Sequence, residues 1–216
     1  FQTDEEVASH ANQAQLGSNW RAGDMKYADL NDDGKINPGN NTLADPGDRK
    51  IIGNSTARYS FGINPELSYK SVTLNIFFQG LFRDYLPPND NWKAFYPYNA
   101  GHVEKYYITE SWSENNRDAY FSAPTISTNT KKNVQPQSRY VQNAAYGRLK
   151  NLTLNYELPG TLISKAGISR AQVYFSGMNL FEITKIHKPL DPESIQEITQ
   201  EYYFQRIFTL GAKLTF

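Results

Sequence analysis

Tyr59-Ser60-Phe61-Gly62-Ile63-Asn64-Pro65-Glu66-Leu67-Ser68-Tyr69, then Lys70-Ser71, then Val72-Thr73-Leu74-Asn75-Ile76-Phe77-Phe78-Gln79-Gly80-Leu81-Phe82: this stretch decides the fold. Tyr59, Phe61, Ile63, Leu67 and Tyr69 alternate with Ser60, Gly62, Asn64, Glu66 and Ser68. Val72, Leu74, Ile76, Phe78, Gly80 and Phe82 continue the alternation against Thr73, Asn75 and Gln79. A period of two sends the two sets to opposite faces of a strand. Lys70-Ser71 leaves room for a tight turn, so the two runs read as a long hairpin.

The same period returns further on. Leu152, Leu154, Tyr156 and Leu158 stand against Asn151, Thr153, Asn155 and Glu157, and Pro159-Gly160 ends that strand. A fourth strand carries Val173, Phe175 and Phe181 on one face, and a fifth carries Phe208, Leu210, Ala212, Leu214 and Phe216 against Thr209, Gly211, Lys213 and Thr215. Runs of roughly 10 to 14 residues are long for a soluble sheet, where five or six is usual. They suit strands that cross a membrane, which need about 9–11 residues with one apolar face. If the last strand ends at the periplasm, the long polar connections 1–58, 84–145 and 185–200 all fall outside and the short ones inside, as in outer-membrane barrels. The expected fold is all-β, a set of strands from a large transmembrane antiparallel β-barrel with long extracellular loops. Residues 1–58 read as an extracellular loop segment and 59–216 as barrel strands with their loops. Five strands do not close a membrane barrel, so the chain is expected to be a fragment or processed product that needs the rest of its parent. Soluble β-sandwiches alternate too, and the alternative reading is a secreted, calcium-stapled β-sandwich that binds glycans.

Composition narrows the classes. Among 216 residues, Lys+Arg and Asp+Glu both number 22, so no nucleic-acid partner is indicated. Hydrophobic residues are a modest 39% while aromatics reach 14%, a pairing that fits half-buried strands. With no cysteine, disulfides, zinc thiolates and cysteine nucleophiles are excluded. No apolar run reaches the ~18 residues of a membrane helix, and the N-terminus does not read as a signal peptide.

Several blocks resemble the SusC/RagA family of TonB-linked outer-membrane transporters of Bacteroidetes. They are Gly23-Asp24-Met25-Lys26-Tyr27-Ala28-Asp29-Leu30-Asn31-Asp32-Asp33-Gly34-Lys35-Ile36, Ile51-Ile52-Gly53-Asn54, Phe77-Phe78-Gln79-Gly80, Tyr146 to Tyr156, Val173 to Phe181, and Phe208 to Phe216. They occur in the family's order and cover most of the chain. The resemblance implies the C-terminal part of the barrel, import of an oligosaccharide or peptide across the outer membrane, and a SusD-like surface lipoprotein as lid. It implies contact with outer-membrane lipid, and with TonB through an N-terminal part of the parent, since the family's plug and TonB box lie outside this region. Phe216 then matches the terminal aromatic that the barrel-assembly machinery reads.

One motif has the spacing of a cation loop. A Ca²⁺ loop draws oxygens from positions one, three, five, seven and later, with glycine at six. Asp29, Asn31 and Asp33 take the first three positions, the Lys35 carbonyl the next, and Asn37 a later one, with Gly34 at the turn and Ile36 as anchor. Position twelve holds Asn40 in place of a bidentate Glu, for which Asp45 or Asp48 would have to substitute. The expected cofactor is a structural Ca²⁺, with Mg²⁺ as alternative; a solvated Asx-rich turn accounts for the same residues without metal. Trp92, Tyr96, Tyr98 and Trp112, with Phe95, are candidate ligand-stacking aromatics, or else pack the loop or the membrane girdle. No enzyme is expected: His10, His102 and His187 lie in loops without HExxH spacing, GxSxG is missing, and Asp191-Pro192-Glu193 reads as a turn.

Overall fold

The computed structural model describes residues 1–86, 105–125, 132–187, 190–195 and 204–216. The chain divides into two compact units, Phe1–Gly53 with Leu86–Val141, and Asn54–Tyr85 with Gln142–Phe216.

The second unit carries the strands: β1 (Tyr59–Ile63), β2 (Glu66–Tyr69), β3 (Val72–Phe82), β4 (Asp84–Tyr85), β5 (Gln142–Asn143), β6 (Tyr146–Glu157), β7 (Arg170–Thr184) and β8 (Ile207–Thr215). Six of them form one antiparallel sheet in the order β1-β3-β6-β7-β8, with β2 also paired to β3. β4 and β5 pair separately. The first expected strand is split. Pro65 has no N–H to give the ladder, so pairing stops at Asn64-Pro65 and resumes at Glu66 against the same partner. The Pro65 carbonyl still accepts from Ile76 N at 3.1 Å, which keeps the two pieces in line. Lys70 makes the hairpin turn at φ 53.

A bulge between β6 and β7 shifts the alternation by one residue on β6 and preserves it on β7. Leu149 faces Phe181 and Asn151 faces Met178, leaving Lys150 extra on one strand and Asn179-Leu180 on the other. Asn179 takes φ 52 there, a conformation that Asn tolerates better than most residues. The short connections at 70–71 and 158–169, the latter holding α3 (Gly160–Ile163), lie at one end of the sheet, and the long ones at the other.

The first unit is loop-built, with α1 (Asp4–Ser9) and α2 (Lys105–Glu110). Thr3 caps α1, its Oγ1 accepting from Glu6 N at 3.3 Å. The core gathers Tyr107, Phe121 and Tyr140, with ring centroids 5.1 Å apart for Tyr107–Phe121 and 6.0 Å for Phe121–Tyr140. Burial pushes the Tyr140 hydroxyl pKa well up, against a hydrogen bond accepted from Ser122 N that lowers it. Asp24 joins the unit's two chain segments. Its carboxylate meets Lys132 Nζ at 2.6 Å and Asn133 Nδ2 at 2.9 Å, and both ionic side chains are almost fully buried. Burying two charges is tolerable only when each finds its partner and further hydrogen bonds, and Lys132 adds the Asn19 carbonyl at 2.8 Å.

Candidate functional site

Register sorts the sheet's side chains into two faces. On one, cross-strand rows run Tyr69–Val72–Tyr156–Val173–Ala212, Leu67–Leu74–Leu154–Phe175–Leu210, Ile76–Leu152–Gly177–Phe208, Ile63–Phe78–Leu149–Phe181, Phe61–Gly80–Gly147–Ile183 and Tyr59–Phe82. The opposite face runs Glu66–Asn75–Thr153–Ser176–Thr209 and Ser68–Thr73–Asn155–Tyr174–Gly211, with hydroxyl contacts such as Thr153 to Ser176 at 3.0 Å.

The apolar face is open. Leu210 is 81% exposed, Phe208 62% and Ile183 61%. A soluble sandwich would cover this surface with a second sheet about 10 Å away. Among the described residues the second unit's other sheet is the two-stranded β4–β5 pair. Some 34 Å of strand separates the Tyr59 row from the Tyr69 row, about 25 Å when tilted, the height of an outer-membrane apolar band.

At the long-loop end, the polar face holds a charge cluster. Arg148 on β6 is 2% exposed. Its guanidinium donates to Glu182 on β7, to Asp191 at 2.8 Å and to Glu193 at 2.6 Å. Lys150 Nζ reaches both Glu193 oxygens at 3.0 Å, and Gln79 Nε2 on β3 reaches one of them at 3.0 Å. The Phe204 ring lies 4.5 Å from Lys150 Nζ and 5.0 Å from the Arg148 guanidinium carbon. Asp191-Pro192-Glu193 reads in the sequence as a turn. It is one, with Glu193 N donating to Asp191 Oδ1 at 2.9 Å, but its carboxylates also neutralise Arg148. The available signal was the pair Arg148 and Lys150 on a strand whose polar side needs counter-charge.

The cation-loop residues Asp29, Asn31, Asp33, Lys35 and Asn37 come together in one exposed turn of the first unit. Asp29 accepts from Asp33 N at 3.3 Å and Gly34 N at 2.8 Å, and Asp33 from Lys35 N at 2.8 Å. Gly34 sits at φ 76, and Ile36 is buried beneath. Of the two substitutes for position twelve, Asp48 closes the loop, accepting from Leu30 N and Asn37 N, both at 2.7 Å. Asp45 turns instead to Asn40. Among the described residues no three His, Asp or Glu side chains converge as a metal cage, so an ion here would need the loop's amide and carbonyl oxygens beside the carboxylates of Asp29 and Asp33. Trp112 borders a cleft of about 1050 Å³ in the first unit. Its ring packs on the backbone at Gly23 and its Nε1 donates to Gln2 Oε1 at 3.1 Å. Trp92, Phe95, Tyr96 and Tyr98 lie outside the described residues.

No family profile matches the chain. Two curated relatives from Formosa agariphila do. TonB-dependent receptor P3 is 29% identical over 181 residues, covering 84% of this chain, and TonB-dependent receptor P26 is 28% identical over 207 residues, covering 90%. The chain spans only 16% and 20% of those proteins' lengths. Among solved structures, the RagAB peptide importer aligns in its closed-closed state with TM-score 0.56 at 26% identity, over 77% of this chain and 18% of that one. Its open-open state aligns with TM-score 0.53 at 25% identity, over the same shares. These likenesses support a stretch of SusC/RagA-type receptor. In a SusC/RagA-type barrel segment the two-faced sheet has its natural setting, because strands crossing lipid keep an apolar outer face and a polar inner one. The exposed rows at Leu210 and Phe208 then need no covering layer within the protein.

Proposed function

We propose that the chain forms part of the wall of a TonB-dependent outer-membrane importer of oligosaccharides or peptides, working with a SusD-like surface lipoprotein. The observation that carries this reading is the open apolar face: six rows tall, free of charged side chains, and backed by a hydrogen-bonding polar face. In water such a face is an aggregation liability; in lipid it is the outer wall. The sheet's outer edges at β1/β2 and β8 suit the same setting, since in lipid they require further strands of a closed barrel. TonB would act through an N-terminal part of the parent. The test is purification of the native protein from detergent-solubilised outer membranes. A polypeptide several times the chain's 24.6 kDa, with a lipoprotein co-purifying, supports the reading. So does loss of growth on one oligosaccharide or peptide when the gene is deleted. A water-soluble protein of about the chain's own size would overturn it.

We also propose that the loop Asp29–Asn37 takes a structural Ca²⁺, or Mg²⁺, as an extracellular staple. Support comes from the ligand spacing and from Asp48, which pins both ends of the loop. Calorimetric titration of the intact protein should give heat that Asp29→Asn abolishes; no heat at millimolar calcium would remove the proposal.

A further inference from the structure

We propose that Arg148 is a positioning residue, one that holds the Asp191-Pro192-Glu193 turn against the polar face of the wall. The clearance beside β6 and β7 is then set by an ionic contact as well as by the strands. The proposal rests on the polar face being the lumen side of an importer.

The turn is tied at five points. Arg148 reaches Asp191 and Glu193, Lys150 and Gln79 reach Glu193, and Arg83 Nη2 donates to the Pro192 carbonyl at 2.7 Å. A turn that merely joined two strands at a barrel rim would leave its carboxylates in water. Here Asp191 is 7% exposed, and Leu190 and Ile195 are buried beside it. Charges in such a place persist only while compensated. Three carboxylates share Arg148 and Lys150 as cations. Glu182 is fixed by the β7 ladder, whereas Asp191 and Glu193 belong to a connection. Removing Arg148 leaves three carboxylates facing one lysine, and the two on the connection are the ones free to leave. The turn's docking is therefore conditional on Arg148, while the ladder of β6 with β3 and β7 stands without it.

Ser194 supplies the probe. Its Oγ is buried with no hydrogen-bond partner, so Ser194→Cys removes no hydrogen bond. In the full-length protein in outer membranes, maleimide labelling of this cysteine should be slow. Arg148→Gln should raise the rate at least about tenfold by opening the segment locally, and Arg148→Lys should bring it part of the way back. The pair Asp191→Asn with Glu193→Gln, which leaves Arg148 matched to Glu182, should raise it similarly and decides the matter if Arg148→Gln fails to assemble. Rates within about twofold of the parent in an assembled barrel, for either variant, would overturn the proposal. If the protein proves not to reside in the outer membrane, the importer reading falls, while the labelling ratios still decide whether Arg148 holds the turn.

Discussion

Leu152→Arg is the substitution on which the lipid-facing wall can be tested in detail. Leu152 lies in the third of six cross-strand rows, between Ile76 and Gly177. With about 25 Å between the outermost rows, it sits within a few ångströms of the middle of the apolar band. An arginine at a bilayer midplane on a barrel's outer face costs roughly 2–4 kcal/mol, falling to about 0–1 near the interfaces. Tyr156 is four residues along the same strand, about 10 Å nearer the rim after tilt, so Tyr156→Arg belongs to the cheaper class. Thr153, next to Leu152 but on the other face, loses two neutral hydroxyl contacts, with Ser176 and with Asn151, worth about 0.5–1.5 kcal/mol each. The expected order of destabilisation is Leu152→Arg first, with Thr153→Arg and Tyr156→Arg both below it. The assay is guanidinium unfolding of the full-length protein refolded into lipid vesicles, where about 3 kcal/mol is roughly a 150-fold change in the folding constant. Equal costs at Leu152 and Thr153 would refute the assignment of faces. Equal costs at Leu152 and Tyr156 would refute the membrane, because depth would then have no effect.

Asp24→Ala should destabilise the first unit by about 3–5 kcal/mol, since it strands Lys132 as a buried unpaired charge; limited proteolysis between residues 1 and 53 reads the loss. A Cβ at Gly80 would fall on the Tyr146 carbonyl and within 2.7 Å of the Phe61 ring, whereas one at Gly62 meets nothing nearer than 3.5 Å. Gly80→Ala should therefore cost about 1–3 kcal/mol by overpacking and Gly62→Ala well under that, measured as midpoint shifts in the same vesicle assay. Burial raises the Tyr140 phenol above its ordinary value near 10. Above that pH the unfolded chain sheds a proton the folded one keeps, so the first unit should lose stability as pH climbs past about 10. Ultraviolet titration and melting with Tyr140→Phe should show that slope flattened.

Much of the sheet is legible because lipid and lumen impose opposite polarities on alternate residues. The alternation from Phe208 to Leu214 reads the same in the sequence as in β8, which runs Ile207–Thr215. What escapes periodicity is whatever interrupts it. The Pro65 break falls inside one alternating run, and the bulge adds one residue on β6, Lys150, so that Leu149 and Leu152 share a face, and two on β7, Asn179-Leu180, so that Phe181 keeps the phase of Phe175. Long-range charge pairing is hidden for another reason. Asp24 and Lys132 are 108 residues apart, and Arg148 and Asp191 are 43 apart. Nothing in local composition marks a turn such as Asp191-Pro192-Glu193 as a counter-charge rather than a solvated bend. The cation loop was legible as a turn, and its closing by Asp48 rather than Asp45 depended on where residues 37–48 bring the chain back.

The most direct test of the wall is a spin-label scan of β8, residues 207–215, in the full-length protein in lipid bilayers. Relaxation by oxygen, which concentrates in lipid, and by a water-soluble nickel chelate should alternate with a period of two. Labels at Phe208, Leu210 and Leu214 should be relaxed by oxygen, and those at Thr209 and Lys213 by nickel. A scan without that alternation, or with nickel reaching Leu210 as readily as Lys213, would contradict the account.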